Sequence, residues 1–507
     1  MWDKNDKIQN PTKYLTVYDS QKKKMKKMSD SSVNSSTLSL HIAAYENSIQ
    51  ASNLSNQNAS TGDLPKKRNT FDNALDNVKQ LLIETSSSVS FEFPRQQHRN
   101  INEPEVMQFK ASQKLLNPNH LVDENVMRAR TQSGIKLDQL MVIVEKTILC
   151  YQNPVTALFE SNTLDFPGHG WIRDNLYAAQ ALWAMYRTYR KSAELDEDLA
   201  RANELGFTCI KIMQSLLECM MRQVDKVELF KKHLRGSDSL HAKYSVQTKC
   251  SVVGDNDWGH LQVDAISLYL LILAQMTASG LQIVRNFDEV AFVQNLVYYI
   301  EVGYRTPDYG IWERGDKTNQ GICELNASSI GMAKAALQAI NDVGDLFSDG
   351  SKGSIIHVLP DEVQQCSAVL SSVLPRESFS KETDAALLTV ISYPAFAVED
   401  PDLVKLTRDT IEETLRGRYG CRRFLRDGYK TVLEDPNRLY YINSELQKFE
   451  NIECEWPVFF CYFLLDALFH EDEESANEYW NKLQKVCFYL HIHTYMYGNS
   501  QYRITKI

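Results

Sequence analysis

The chain has 507 residues, 43% of them hydrophobic and 24% charged, an ordinary balance for a soluble protein with one large domain or several small ones. Its formal net charge of −10 argues against a dedicated nucleic-acid binder, which needs a dominant basic field. No apolar run reaches membrane-spanning length, the start Met1-Trp2-Asp3-Lys4-Asn5-Asp6 lacks the core of a secretory signal, and the 10 cysteines include no C-x-x-C pair, which predicts a reduced, cytoplasmic protein without metal or cofactor.

Residues 1–130 are expected to be a disordered extension. Lys22-Lys23-Lys24-Met25-Lys26-Lys27 leads into Ser/Asn-rich sequence that reaches Ser60, with too little apolar surface to offset the entropy of ordering. The lysine run reads as a solvated tail. Residues 71–83 could form a short amphipathic helix, and Thr70 and Thr131, which follow basic residues, are candidate phosphorylation sites. From Gly134 the pattern changes. Ile135, Leu137, Leu140, Met141, Val144, Ile148 and Leu149 recur at three- and four-residue spacing and predict one helical face. Helical patterns follow almost without strands, at 175–190, 199–224, 262–279, 288–304, 327–341, 361–373, 401–415, 457–469 and 475–490. Asp288 is the expected N-cap of its helix, and Pro401 and Pro457 sit where a first-turn proline is tolerated. Antiparallel helices in series predict an all-α toroid, one ring inside the other. An α-solenoid is the alternative, but no fixed-period repeat supports it.

Five loops, each entering a helix, carry the chemistry. Trp171-Ile172-Arg173-Asp174 offers an indole to stack on a sugar face and an Arg–Asp pair for its hydroxyls. Gly254-Asp255-Asn256-Asp257-Trp258-Gly259-His260 crowds acids, an indole and a histidine between glycines, without the ligand density of a calcium loop. Tyr309-Gly310-Ile311-Trp312-Glu313-Arg314 sets a carboxyl beside an indole, where a partly desolvated Glu313 can stay protonated as a general acid. Arg423-Phe424-Leu425-Arg426-Asp427-Gly428 is a further Arg-Asp-Gly turn flanked by aromatics. Glu455-Trp456-Pro457 closes the set, with Glu455 at a helix N-terminus whose dipole favours the ionised, basic form. Two carboxyls in opposed environments are the pattern of glycoside hydrolysis by acid and base.

Trp171-Ile172-Arg173-Asp174, Gly310-Ile311-Trp312-Glu313 and Glu455 six residues before Cys461 resemble the glucoamylases of glycoside hydrolase family 15. The resemblance implies an (α/α)6 barrel with its site at the mouth. It also implies Glu313 as general acid, Glu455 as general base and Arg173 with Asp174 as a sugar clamp. Trp171, Asp255, Asp257, Trp258, Trp312, Arg314, Arg426, Asp427 and Trp456 complete the expected substrate-binding set. A closer resemblance is to the large regulatory subunits of phosphorylase b kinase, carried by 221–227 (MRQVDKV), 238–244 (DSLHAKY), 312–321 and 424–441 (FLRDGYKTVLEDPNRLYY). Trp171 to Asp174 and Asp257 to His260 favour the alpha over the beta type. This similarity implies a non-catalytic subunit that restrains a separate catalytic subunit acting on glycogen phosphorylase. The implied partners are the beta and catalytic gamma subunits and calmodulin, with a pocket able to hold a glycogen or oligosaccharide end.

The resemblance divides the chain into the extension at 1–130, a barrel at 131–485 and a divergent tail at 486–507. The match fades near Lys485, so the barrel is expected to be incomplete at its C-terminal end, as in a fragment or an alternative transcript. The end Thr505-Lys506-Ile507 has no C-a-a-X box for the prenylation that attaches the family's alpha subunits to membranes. Nothing in the chain predicts phosphoryl transfer. There is no glycine-rich phosphate loop with its lysine and no Asp-Phe-Gly, and Arg426-Asp427 lacks the rest of a kinase catalytic loop. The alternative function is an inverting glucohydrolase acting on α-glucan ends.

Overall fold

In the computed structural model the described residues are 131–161, 167–312, 321–346, 351–435, 437–438 and 440–497. The extension at 1–130, including the helix predicted at 71–83 and Thr70, lies outside them, as do Glu313, Arg314 and residues 498–507.

The sequence's helical periods become helices in chain order. They are α1 (Gln132–Thr147), α2 (Ile172–Lys191), α3 (Asp196–Met221), α4 (Val224–His233), α5 (Val263–Ala278), α6 (Phe287–Gly303), α7 (Ala327–Val343), α8 (Pro360–Val373), α9 (Leu388–Ile391), α10 (Pro401–Leu415), α11 (Asn443–Leu446), α12 (Val458–Phe469) and α13 (Glu473–Tyr497). Among the described residues, β1 (His169–Trp171) pairs antiparallel with β2 (Lys243–Ser245) in a two-stranded sheet, although α2, α3 and α4 lie between the two strands in the chain.

Two layers follow from which helices are apolar all round. In α5 every residue from Val263 to Ala274 is buried, and α7 is buried from Ala327 to Leu337. Such helices cannot face water on any side, so they line the inside. Contacts run α2–α5–α7–α9–α12 within this inner layer. Each inner helix packs against the next helix in sequence on its outer side, giving α2–α3, α5–α6, α7–α8, α9–α10 and α12–α13. The outer helices are amphipathic; α10, for example, buries only Thr407, Ile411 and Leu415. This is the paired-helix toroid read from the sequence. Gly331 on α7 is needed for it, because any side chain there would collide with Val390 of α9. The core is well filled: Leu270, Leu296 and Leu337 have no exposed surface, and truncating one to Ala should cost about 2–5 kcal/mol.

Local signals set the boundaries. Pro401 is at N1 of α10 behind Asp400, whose side chain accepts from Asp402 and Leu403 N–H. Three expectations need correction. The N-cap of α6 is Asn286, which accepts from Glu289 N–H, and Asp288 lies inside the first turn. The 199–224 pattern is two helices, because α3 ends at Met221 and α4 begins at Val224. In α1 the inward face is Leu137, Met141 and Val144, whereas Ile135 and Leu140 point outward, 47% and 41% exposed. The last helix also runs past its expected end, to Tyr497.

Candidate functional site

The first charged centre forms where this sheet meets the starts of α2 and α5. Antiparallel register sets Trp171 opposite Lys243. Lys243 is 2% exposed, and its ammonium lies 2.8 Å from the ring centre of Trp258 and 4.8 Å from that of Trp171. The indoles therefore grip a cation that has been taken out of water. Beside them Arg173 donates to Asp264, the second residue of α5, through Nε (2.6 Å) and Nη2 (2.8 Å), a buried fork-on-fork pair. Asp174 stands exposed on the first turn of α2. Arg173 thus turns to an acid 91 residues away rather than clamping with its chain neighbour. Trp171, Arg173, Ala242, Lys243, Trp258, Gln262 and Ala265 line a small hollow with room for about one water molecule.

Besides Trp258, the loop after Gly254 carries two acids and a histidine with bonds of their own. Asp255 takes bonds from Lys226 Nζ (2.7 Å) on α4 and His241 Nε2 (2.8 Å), and Lys226 above all holds its carboxyl below the usual range. Asp257 is exposed, with its carboxylate against Gly254. The His241 and His260 rings stack at 3.7 Å, nearly parallel. Burial, then the charge of His241, pushes His260 down to about 4.

A second centre gathers the three later loops. The Arg423 guanidinium lies 4.8–5.2 Å from the rings of Trp312, Tyr429 and Trp456. It donates to both oxygens of Asp427, at 2.6 and 2.8 Å. The Trp312 N–H donates to Asp384 at 2.9–3.0 Å, and Asp384 and neighbouring Glu377 are both held above the usual carboxyl range, chiefly by burial. Arg426 instead reaches Glu382 (2.8 Å) and Glu450 (3.8 Å). Glu455 accepts from Tyr419 N–H (2.6 Å) and lies over Gly417, a position any side chain would make impossible without moving it. A line of rings joins the two centres. Tyr177, one turn beyond Arg173, meets Tyr462 of α12 edge-on at 6.2 Å; Phe459, one turn before Tyr462, meets the Trp312 ring edge-on at 5.9 Å. Trp171, Arg173 and Trp258 thus gather at the first centre and Trp312, Asp427 and Trp456 at the second, while Asp255 and Arg426 are engaged by other partners.

With this geometry in hand, comparison with known proteins is direct: the pattern of glycosyl hydrolases family 15 matches residues 134–501. The chain belongs to that family. Among curated relatives it is 71% identical, over 360 residues, to "Probable phosphorylase b kinase regulatory subunit alpha" of Caenorhabditis elegans. It is 59% identical to the liver isoform of the alpha subunit of Oryctolagus cuniculus and 58% to the probable alpha subunit of Drosophila melanogaster. In each case the match covers 71% of this chain and 29% of the relative, so the chain spans under a third of their length. Among solved structures, "Glycosidase Wild Type" superposes with a TM-score of 0.46 at 15% identity, covering 70% of this chain and 83% of that one.

Sequence reasoning missed Lys243, Asp264, Arg423 and Asp384 as members of these buried charged centres. Lys243 and Arg423 both stood within quoted motifs, and the four-residue spacing of Arg423 and Asp427 was a signal for their pairing. Asp384 had no local signal, because its partner Trp312 is 72 residues away.

Proposed function

We propose that this chain serves as a regulatory, non-catalytic subunit of phosphorylase kinase, restraining a separate catalytic subunit that phosphorylates glycogen phosphorylase. The observation that carries the reading is the 71% identity to the nematode alpha subunit over 360 residues. Its partners are then the beta and gamma subunits and calmodulin, and its place is the cytoplasm. The described residues include no helix long and apolar enough to cross a membrane.

The two charged centres support a binding rather than a hydrolytic role. Arg173, Asp255, Arg426, Asp427 and Glu455 are each engaged by the protein itself. Glu455, the expected base, spends one carboxylate oxygen on the Tyr419 N–H. Lys243 stacks on Trp171 and Trp258, and Arg423 on Trp312 and Trp456, so a glucoside would meet these indoles on their opposite faces or edges. Glu313 and Glu455 keep the roles of acid and base only as proposals.

The test is co-purification of tagged chain with the catalytic gamma subunit, together with a thermal scan in maltooligosaccharide. The reading expects a stable complex and a saccharide-dependent rise in melting temperature without glucose release. Failure to bind any kinase subunit would overturn the regulatory role, and glucose release would favour an active glucohydrolase.

A further inference from the structure

Polar ties at Thr131, Asp138 and Glu145, seven residues apart, join α1 to the corner where α2 turns into α3. Thr131, the N-cap of α1, donates its N–H (3.0 Å) and its hydroxyl to Glu194 in the loop between α2 and α3. Asp138 accepts from the Tyr189 hydroxyl of α2 at 3.1 Å, and Glu145 from Arg201 of α3 at 2.8 Å. Seven residues are almost two whole turns, so the ties lie in line along one side of the helix. At Asp138 and Glu145 it is α1 that supplies the acid. At Thr131 it supplies the donor and the corner supplies the acid, so a negative charge added there would break the tie.

Thr131 is also placed and flanked as a kinase substrate. It is exposed, its backbone is extended (φ −64°, ψ 161°), and Arg128 and Arg130 precede it by three residues and by one. Guanidinium groups so spaced are what the acidic substrate groove of an arginine-directed Ser/Thr kinase pairs with. We propose that Thr131 is phosphorylated by such a kinase, and that the phosphate releases the start of α1 from the α2–α3 corner. The Thr131 oxygen takes the terminal phosphoryl group of a nucleoside triphosphate. The bond to the diphosphate breaks, and the hydroxyl proton passes to the kinase's own base. The product carries about −1.5 to −2 charges and has no donor left for Glu194. The corner it faces holds Glu194 and, in the first turn of α3, Asp196, Glu197 and Asp198, which outnumber Arg190 and Lys191 at the end of α2. Asp198 is bound to this loop, accepting from the N–H groups of Glu194 (2.9 Å) and Leu195 (3.2 Å). The same phosphate still suits the N-terminus of α1, whose first-turn N–H groups attract an anion. The helix therefore persists while its anchorage is lost.

Treating the full chain with an arginine-directed kinase and Mg–ATP tests this, whether or not the chain joins a kinase complex. Fragment masses should place phosphate on Thr131, and Arg128→Ala/Arg130→Ala should slow its incorporation at least about tenfold. Amides of residues 135–141 should then exchange hydrogen at least about tenfold faster than before treatment. Thr131→Asn, which keeps a capping side chain but no hydroxyl, should show no response to the kinase. Glu194→Gln keeps an acceptor without the charge; it should take the phosphate with a smaller rise in exchange. The proposal is overturned if Thr131 stays unmodified, if the phosphate goes to Ser133 in its place, or if phosphorylated Thr131 leaves exchange in α1 unchanged. A rise of equal size in the Glu194→Gln chain would also overturn it, because the charge of Glu194 would then play no part.

Discussion

Trp312 donates its indole N–H to both carboxylate oxygens of Asp384, at 3.0 and 2.9 Å, while the guanidinium of Arg423 lies 5.1 Å from the same ring. The indole expected to cover a sugar is thus held in place by a buried acid from a loop 72 residues later. Asp384→Ala should leave that N–H without its acceptor, at a cost of about 1–3 kcal/mol in chemical denaturation. In the Trp312→Phe background the same change should cost measurably less, because the bond is already absent.

Arg423 and Asp427 form a pair whose side chains are 11% and 1% exposed. Removing one partner strands the other charge. Arg423→Ala should therefore destabilise by about 3–5 kcal/mol, and Arg423→Lys, which loses the fork and the flat stacking surface, by somewhat less. Urea midpoints at constant m-value would show it.

Glu455 and Gly417 make opposite demands. Gly417→Ala should force Glu455 off its bond with Tyr419 N–H and lower the melting temperature. Glu455→Gln keeps an acceptor at 2.6 Å and should be tolerated within about 1 kcal/mol. Thermal scans of the two variants decide between them.

Two buried groups give pH slopes of opposite sign. Burial pushes Asp308 up to about 6 from 3.8, so the folded chain holds its proton more tightly than the unfolded one. Stability from this group is complete below about pH 4 and is lost as pH rises through 6, a change of about 3 kcal/mol. His260 is pushed down to about 4 from 6.5, so its contribution is present above pH 6.5 and lost as pH falls toward 4. Asp308→Asn should flatten the first slope and His260→Phe the second, read as melting temperature against pH. Unchanged slopes would contradict the assignments.

The long helices were legible because their apolar periods run for three turns or more: 401–415 is α10 to the residue, and 262–279 and 327–341 differ from α5 and α7 by one or two residues at either end. The inner ring could be read because α5 and α12 are apolar on every side. Partner choice within the loops could not. Arg173 and Arg426 had acids beside them in sequence, yet each pairs with an acid far away in the chain, Arg173 with Asp264 on α5 and Arg426 with Glu382 on another loop. Pairings set by tertiary approach leave no trace in spacing.

On the proposed reading, this family-15 ring regulates a kinase and hydrolyses no glucan. Glucose release from maltooligosaccharide by the purified chain, beside Glu455→Gln, tests this most directly. Equal and negligible rates are predicted; turnover by the wild-type chain that Glu455→Gln abolishes would contradict it.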